Sequence, residues 1–168
     1  MSPRDEIVAL VDGQNRVIGS APRHQMRAGN LLHRASYVFV FNSAGDLYVQ
    51  HRTPTKDVYP AYWDLAAGGV VLHGESYEES AERELAEEMG IRGVGLEPWF
   101  DFFFEGAGRC WGRAFSCIWD GPVVPQPEEV QSVEIVSLEI VFSGFNGRLI
   151  TPDSLLALRM RFGPEPAS

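Results

Sequence analysis

Positive charge is scarce in this chain. Lysine and arginine together number 14 against 23 aspartates and glutamates, giving a net charge of −9 and an isoelectric point near 4.9. That deficit excludes the broad basic surface through which proteins hold nucleic acid non-specifically. An acidic protein that handles polyphosphates needs a local basic patch or a metal ion. Long apolar runs are missing as well. None approaches the length of a membrane span, and the start, Met1-Ser2-Pro3-Arg4-Asp5-Glu6, has no apolar region of the kind a signal peptide carries. Cysteine is limited to Cys110 and Cys117. On one extended strand those two stand too far apart to bridge, and free thiols fit the cytoplasm. Repeats and low-complexity tracts are also absent. What is present, 45% hydrophobic and 22% charged residues over 168 positions, is the make-up of one soluble globular domain.

Residues 6–11 and 16–20 read as short strands around the turn Asp12-Gly13-Gln14-Asn15, and 22–28 as one or two helical turns stopped by Gly29-Asn30. A buried strand is expected over 35–41, a returning strand over 46–52, a loop over 53–60 and a short strand over 63–67. Farther on, 93–105 and 109–119 form a hairpin around Gly106-Ala107-Gly108, and 130–137 is a final strand. A helical turn follows at 138–142. Thr151-Pro152-Asp153 starts a C-terminal helix, with a capping residue followed by proline at the first helical position. The order predicts a mixed α/β domain with helices on both faces of a mixed sheet. Its parts are an N-terminal hairpin and short helix (1–34), a core (35–162) and a frayed tail (163–168).

The densest chemistry lies in residues 69–91. Ala81, Leu85 and Met89 recur every four residues, Ser76 or Glu75 starts a helix, and Gly90 ends it. Among the many acids from Glu75 to Glu88 there is one base, Arg83. Glu84, Glu87 and Glu88 stand at i, i+3 and i+4, so their carboxylates share a neighbouring face near the helix end where the dipole also disfavours anions. Solvent offsets that cost if the face is merely a wet surface. A hard divalent cation with oxygen ligands offsets it if the face is a site.

The spacing discriminates between the two. Gly69, five residues, Glu75, seven residues, then Arg83-Glu84-Leu85-Ala86-Glu87-Glu88-Met89-Gly90-Ile91 resembles the Nudix box at every fixed position, an agreement of about one in a billion by chance at average residue usage. The resemblance implies an α/β/α sandwich. It also implies a metal-dependent hydrolase of diphosphates linked to another group. Carried onto this chain, Gly69, Glu84, Glu87 and Glu88 would hold magnesium or manganese, and Glu75 and Arg83 would brace the loop and helix. The general base varies within the family. Glu84 is the first candidate here, and Glu128 or Glu129 the second. Leu31-Leu32-His33-Arg34-Ala35, residues 42–52, Lys56 and Pro60-Ala61-Tyr62-Trp63 further resemble the branch containing isopentenyl-diphosphate isomerase. Where those isomerases carry a catalytic Cys-Gly-His, this chain has Ala67-Gly68-Gly69. Where they need two glutamates, it has Gly108-Arg109-Cys110-Trp111-Gly112. The branch therefore implies a shared scaffold without the alkene chemistry. His24 and His33 correspond loosely to its metal histidines.

Arg52 and Lys56 upstream of the box, with Arg113 beyond it, are the expected phosphate contacts. Trp63 and Phe102 are the expected stacking partners for a flat group, with Tyr59, Phe104 and Trp111 behind them. The favoured substrate is a nucleoside di- or triphosphate or related derivative. A non-nucleotide diphosphate comes second, and an isomerase or a non-catalytic diphosphate-binding module are the remaining readings.

Overall fold

The computed structural model describes residues 3–163. Strands β1 (Ile7–Val11) and β2 (Val17–Pro22) lead into helix α1 (Arg23–Ala28). Then come β3 (His33–Phe41), β4 (Leu47–Arg52), β5 (Trp63–Asp64) and β6 (Ala67–Val70), and the box helix α2 (Tyr77–Met89). Strands β7 (Glu97–Glu105), β8 (Arg109–Ile118) and β9 (Val130–Val136) precede α3 (Leu138–Phe142) and α4 (Pro152–Phe162).

Strand β3 is the axis. Tyr37 and Phe39 alternate with Val38 and Val40, and all four are buried, the pattern of a strand covered on both faces. One edge of β3 runs parallel to β8 from His33↔Cys110 to Phe41↔Ile118. The other pairs antiparallel with β6, Ala35↔Val70 to Val38↔Ala67. The β1–β2 hairpin joins at Leu10↔His33. Strand β4 pairs with β5 and β9, and β7 folds back on β8. On one face Val38, Val40 and Phe115 pack against Ala81, Leu85, Met89 and Ile91. On the other, Tyr37, Phe39, Val49 and Phe102 pack with Val141, Ala157 and Leu158. The expected α/β/α sandwich with a mixed sheet is what forms.

Helix α2 is anchored at both ends. Ser76 accepts the Glu79 N–H (3.0 Å) while Glu79 accepts the Ser76 N–H (3.2 Å), a reciprocal cap. At the far end Gly90 takes φ 68° and donates to the Ala86 carbonyl. Burying Leu85 and Met89 against the sheet contributes about 2 kcal/mol each. That burial fixes the helix rotation, and with it which glutamates turn inward.

Three local expectations change. The strand expected over 63–67 is two strands, split at Leu65-Ala66. Strand β7 starts at Glu97, because Gly93 turns the chain at φ 73°. The Thr151 side chain does not cap α4; its hydroxyl donates to Asp64 Oδ1 at 3.3 Å. Residues 164–168 of the expected tail lie outside the described residues.

Candidate active site

Helix α1, the β4–β5 loop, β6, α2, the segment before β9 and the start of α4 surround a cavity of about 710 Å³. One wall is acidic. Glu84 and Glu88, one helical turn apart, meet Glu129 from the β9 approach, with one carboxylate oxygen of each within 4.8 Å of the others. Backbone packing makes room for them. A Cβ on Gly69 would lie 2.6 Å from Glu84 Oε1, and the Gly68 N–H donates to Glu88 Oε1 at 3.1 Å.

Few cations offset these charges. Arg83 is shared: it donates to Glu75 through Nε (2.8 Å) and Nη2 (3.0 Å), and through Nη1 to Glu84 (2.8 Å) and, at 3.4 Å, Glu87. The chain's one lysine, Lys56, donates to Glu129 at 3.2 Å. Burial pushes the Glu84 carboxyl up to about 7, against the pull of Arg83. Burial and then the Glu84 charge push Glu88 well above the usual range. Carboxylates so crowded fit a hard divalent cation, whose charge offsets what two side chains do not.

The structure thus brings Glu84 and Glu88 together with Glu129. Glu87 lines the same cavity at its rim, its side chain 47% exposed and bound to Arg83.

Arg23 and Arg27 also line the cavity, and sequence reasoning missed them. Arg23 and Arg27 each donate to Asp57 Oδ2 at 3.1 Å. Arg52 lines the cavity, but its donors go to Asp64 (3.0 Å) and to the carbonyls of Tyr59 (3.2 Å) and Val58 (2.9 Å). It shapes the β4–β5 loop, while Lys56, Arg23 and Arg27 also line the cavity.

Three expected substrate contacts lie elsewhere. Trp63 stacks flat on His51 (centroids 4.3 Å apart), meets Phe145 edge-on and lies under Arg148. Its strand neighbour Asp64 faces the cavity instead. Phe102 is 3% exposed, packed against Tyr37 and Phe100. Arg113 pairs with Asp101 through two bonds (2.6 and 3.0 Å) and sits 4.3 Å over the Tyr77 ring. Cavity-lining residues that sequence reasoning passed over are Tyr37, Asp64 and Asp153. Asp153 was read only as a helix start.

His24 contacts the Arg4 carbonyl at 3.0 Å through Nδ1. His33 is 3% exposed and hydrogen-bonded through Nδ1 to the Leu31 carbonyl at 2.9 Å. Burial, with Arg27 and Arg23 adding, pulls it from 6.5 down to about 4. The unfolded chain therefore binds a proton that the folded chain refuses between those values. Stability attributable to His33 is complete above pH 6.5 and falls by about 3 kcal/mol as the pH drops to 4. Chemical denaturation from pH 7 to 4 should show that loss and a shallower one in His33→Asn; equal slopes would place the titration elsewhere.

The same folded unit recurs in known proteins. The NUDIX domain family model matches residues 31–153. An uncharacterised Nudix hydrolase of Pseudomonas aeruginosa is 46% identical over 156 residues, 92% of each chain. The Nudix hydrolase YfcD of Escherichia coli K12 is 44% identical over 156 residues, 92% of this chain and 86% of that one. Among solved structures, DR0079 of Deinococcus radiodurans superposes with a TM-score of 0.80 at 25% identity, covering 92% of this chain and 98% of that one. The chain belongs to the Nudix family. Its class is that of the Nudix hydrolases, enzymes that act on pyrophosphate bonds. Among the described residues no helix is long and apolar enough to cross a membrane.

Proposed function

We propose that this chain hydrolyses the diphosphate linkage of a nucleoside di- or triphosphate or a related nucleoside diphosphate derivative. Magnesium, or manganese, would be held by Glu84, Glu88 and Glu129 with the Gly69 carbonyl. The observation that carries this reading is the meeting of three carboxylates in a cavity that Lys56, Arg23 and Arg27 also line. A hard cation belongs among the carboxylates, and phosphate oxygens beside the cationic side chains. The ion, when bound, would neutralise phosphate charge and acidify an attacking water.

The chain's own groups do the rest. Arg83 fixes Glu84 against the loop that ends at Glu75. Lys56 steadies Glu129 and presents a point charge that reads phosphate irrespective of what the phosphate bears. Glu84 and Glu129 line the cavity and are placed to accept the proton of water; Glu88, bonded to the Gly68 N–H, acts as a ligand. A scaffold shared with the isomerase branch remains part of this reading, without its reaction. Ala67 stands where the nucleophilic cysteine would be, and Cys110 is buried with its thiol pushed up to about 12, far from the thiolate a nucleophile needs. The free, buried state of both cysteines supports a cytoplasmic setting. The test is a panel of nucleoside di- and triphosphates and sugar and isoprenoid diphosphates, assayed with magnesium for phosphate and pyrophosphate release. Nucleotides should turn over fastest. Release only from isoprenoid or sugar diphosphates overturns the nucleotide assignment.

A further inference from the structure

Two arginines on α1, one helical turn apart, share a single carboxylate oxygen. Arg23 Nε and Arg27 Nε each donate to Asp57 Oδ2 at 3.1 Å. Among the described residues their Nη groups make no hydrogen bond and Asp57 Oδ1 accepts none; Glu6 stands 3.8 Å from Arg23 Nη1. Where this chain builds a fixed arginine–carboxylate pair it uses the fork. Arg83 meets both oxygens of Glu75, and Arg113 both oxygens of Asp101. The α1 pair leaves its forks open, and Arg23, Arg27 and Asp57 all line the cavity. Asp57 is held by little else. Its backbone makes no backbone hydrogen bond among the described residues. Immediately after it the chain is pinned, because Arg52 donates to the Val58 and Tyr59 carbonyls. The Asp57 side chain, with the Lys56–Glu129 bond, therefore secures only the short stretch 54–57 of the β4–β5 loop.

We propose that Arg23 and Arg27 form a subsite for a phosphate group beyond the two joined by the bond that is cleaved, and that Asp57 fills it until that phosphate takes its place. The substrate of the reading above, on which this rests, then carries one phosphate more. Phosphate suits the open forks better than a second carboxylate. It brings about two negative charges and three acceptor oxygens to two guanidiniums. A free carboxylate only repeats what Asp57 offers from within the chain, at an effective concentration on the order of millimolar. Asp57 remains an ionised occupant: burial would raise its carboxyl, but Arg23 and Arg27 outweigh burial and hold it well below the usual range. It leaves by displacement and not by protonation. The end of a longer phosphate chain and a monoester elsewhere on the molecule share this chemistry.

Lys56, the chain's one lysine, precedes Asp57, so lysyl endopeptidase can cut only the 56–57 bond. Metal-free protein in inorganic phosphate should be cut about tenfold faster than in sodium chloride of equal ionic strength, because losing two charge-assisted bonds raises the open population. A lysyl peptide serves as the rate standard. Asp57→Asn should be cut fast in either salt and, its competitor gone, bind phosphate about tenfold more tightly in titration calorimetry. Arg23→Gln combined with Arg27→Gln should be cut fast and lose phosphate binding. A purely structural ion pair predicts no phosphate effect on the unmodified chain. Cutting that phosphate leaves unchanged or slows, or weaker phosphate binding by Asp57→Asn, overturns the subsite. Kinetics with magnesium then separate the two sources. A nucleoside triphosphate should exceed its diphosphate in kcat/KM if the group ends the phosphate chain. A nucleoside 5′-diphosphate bearing a 3′-phosphate should exceed it if the group lies elsewhere. The double arginine variant should lose whichever gain appears. Equal kcat/KM for all three, in a protein that turns them over, overturns the subsite. Phosphate-accelerated cutting with no nucleotide turnover keeps the subsite and overturns the nucleotide reading alone.

Discussion

Glu88→Gln should lower turnover by two or more orders of magnitude while leaving the metal-free protein at least as stable as before. The residue is 7% exposed, accepts the Gly68 N–H and shares its surroundings with the Glu84 and Glu129 carboxylates. Glutamine keeps the oxygen that Gly68 needs and removes an anion from a group of like charges, so folding does not suffer. What disappears is an anionic oxygen ligand, which a hard cation does not recover from an amide at equal strength. Two measurements check this: steady-state kinetics with magnesium, and melting curves with and without it. The unmodified chain should melt higher when magnesium is added, and Glu88→Gln should respond much less. Glu87→Gln, at the rim, should cost far less activity. Near-normal turnover in Glu88→Gln would remove it from the site.

Two adjacent glycines should fail in different ways. At Gly68 an added Cβ would lie 1.8 Å from the Ser36 carbonyl oxygen, backbone of the central strand, and φ is +159°. Neither strand of the β3–β6 pair can yield without breaking its register, so Gly68→Ala should cost about 3 kcal/mol or more and express poorly. At Gly69 the nearest atoms belong to the end of the Glu84 side chain, 2.6 Å away. That side chain can swing. Gly69→Ala should therefore fold, with a melting temperature close to the parent, and lose most of its activity because Glu84 is driven off the point it shares with Glu88 and Glu129. Thermal melts and kinetics on the pair decide the matter. A stable, active Gly68→Ala would mean that β6 sits differently on β3.

Much of this was legible in the chain itself, and the exceptions have physical causes. Helix α2 announces itself through Ser76, Glu79, the Ala81–Leu85–Met89 stripe and Gly90, all local signals. Glu129 was legible only as an alternative, because what brings it to Glu84 is the pairing of β9 with β4, and sequence spacing says little about that. The aromatic strand misled for a related reason. Alternation puts Phe102 and Phe104 on one side of β7, but only Phe104 reaches the cavity, while Phe102 is buried against Tyr37 and Phe100. Arg113 was within reach. A hairpin closing at Glu105↔Arg109 sets Asp101 opposite Arg113, so a structural cross-strand pair could have been anticipated. Asp153, 116 residues from Tyr37, had no local signature except as the opening of a helix.

Helix α1 stands apart from the unit that recurs across the family. The family match begins at residue 31, yet Arg23 and Arg27, which precede it, close one side of the cavity and tie down Asp57 on the β4–β5 loop. The clustered acids and this basic helix thus reside in different stretches of chain. Substitutions at Arg23 and Arg27 can change the charge of the cavity without touching the glutamates. A version trimmed to the family boundary would also lose β1, whose Val8 is fully buried and whose Leu10 pairs with His33 on the central strand, so the arginines come with a hairpin the core leans on.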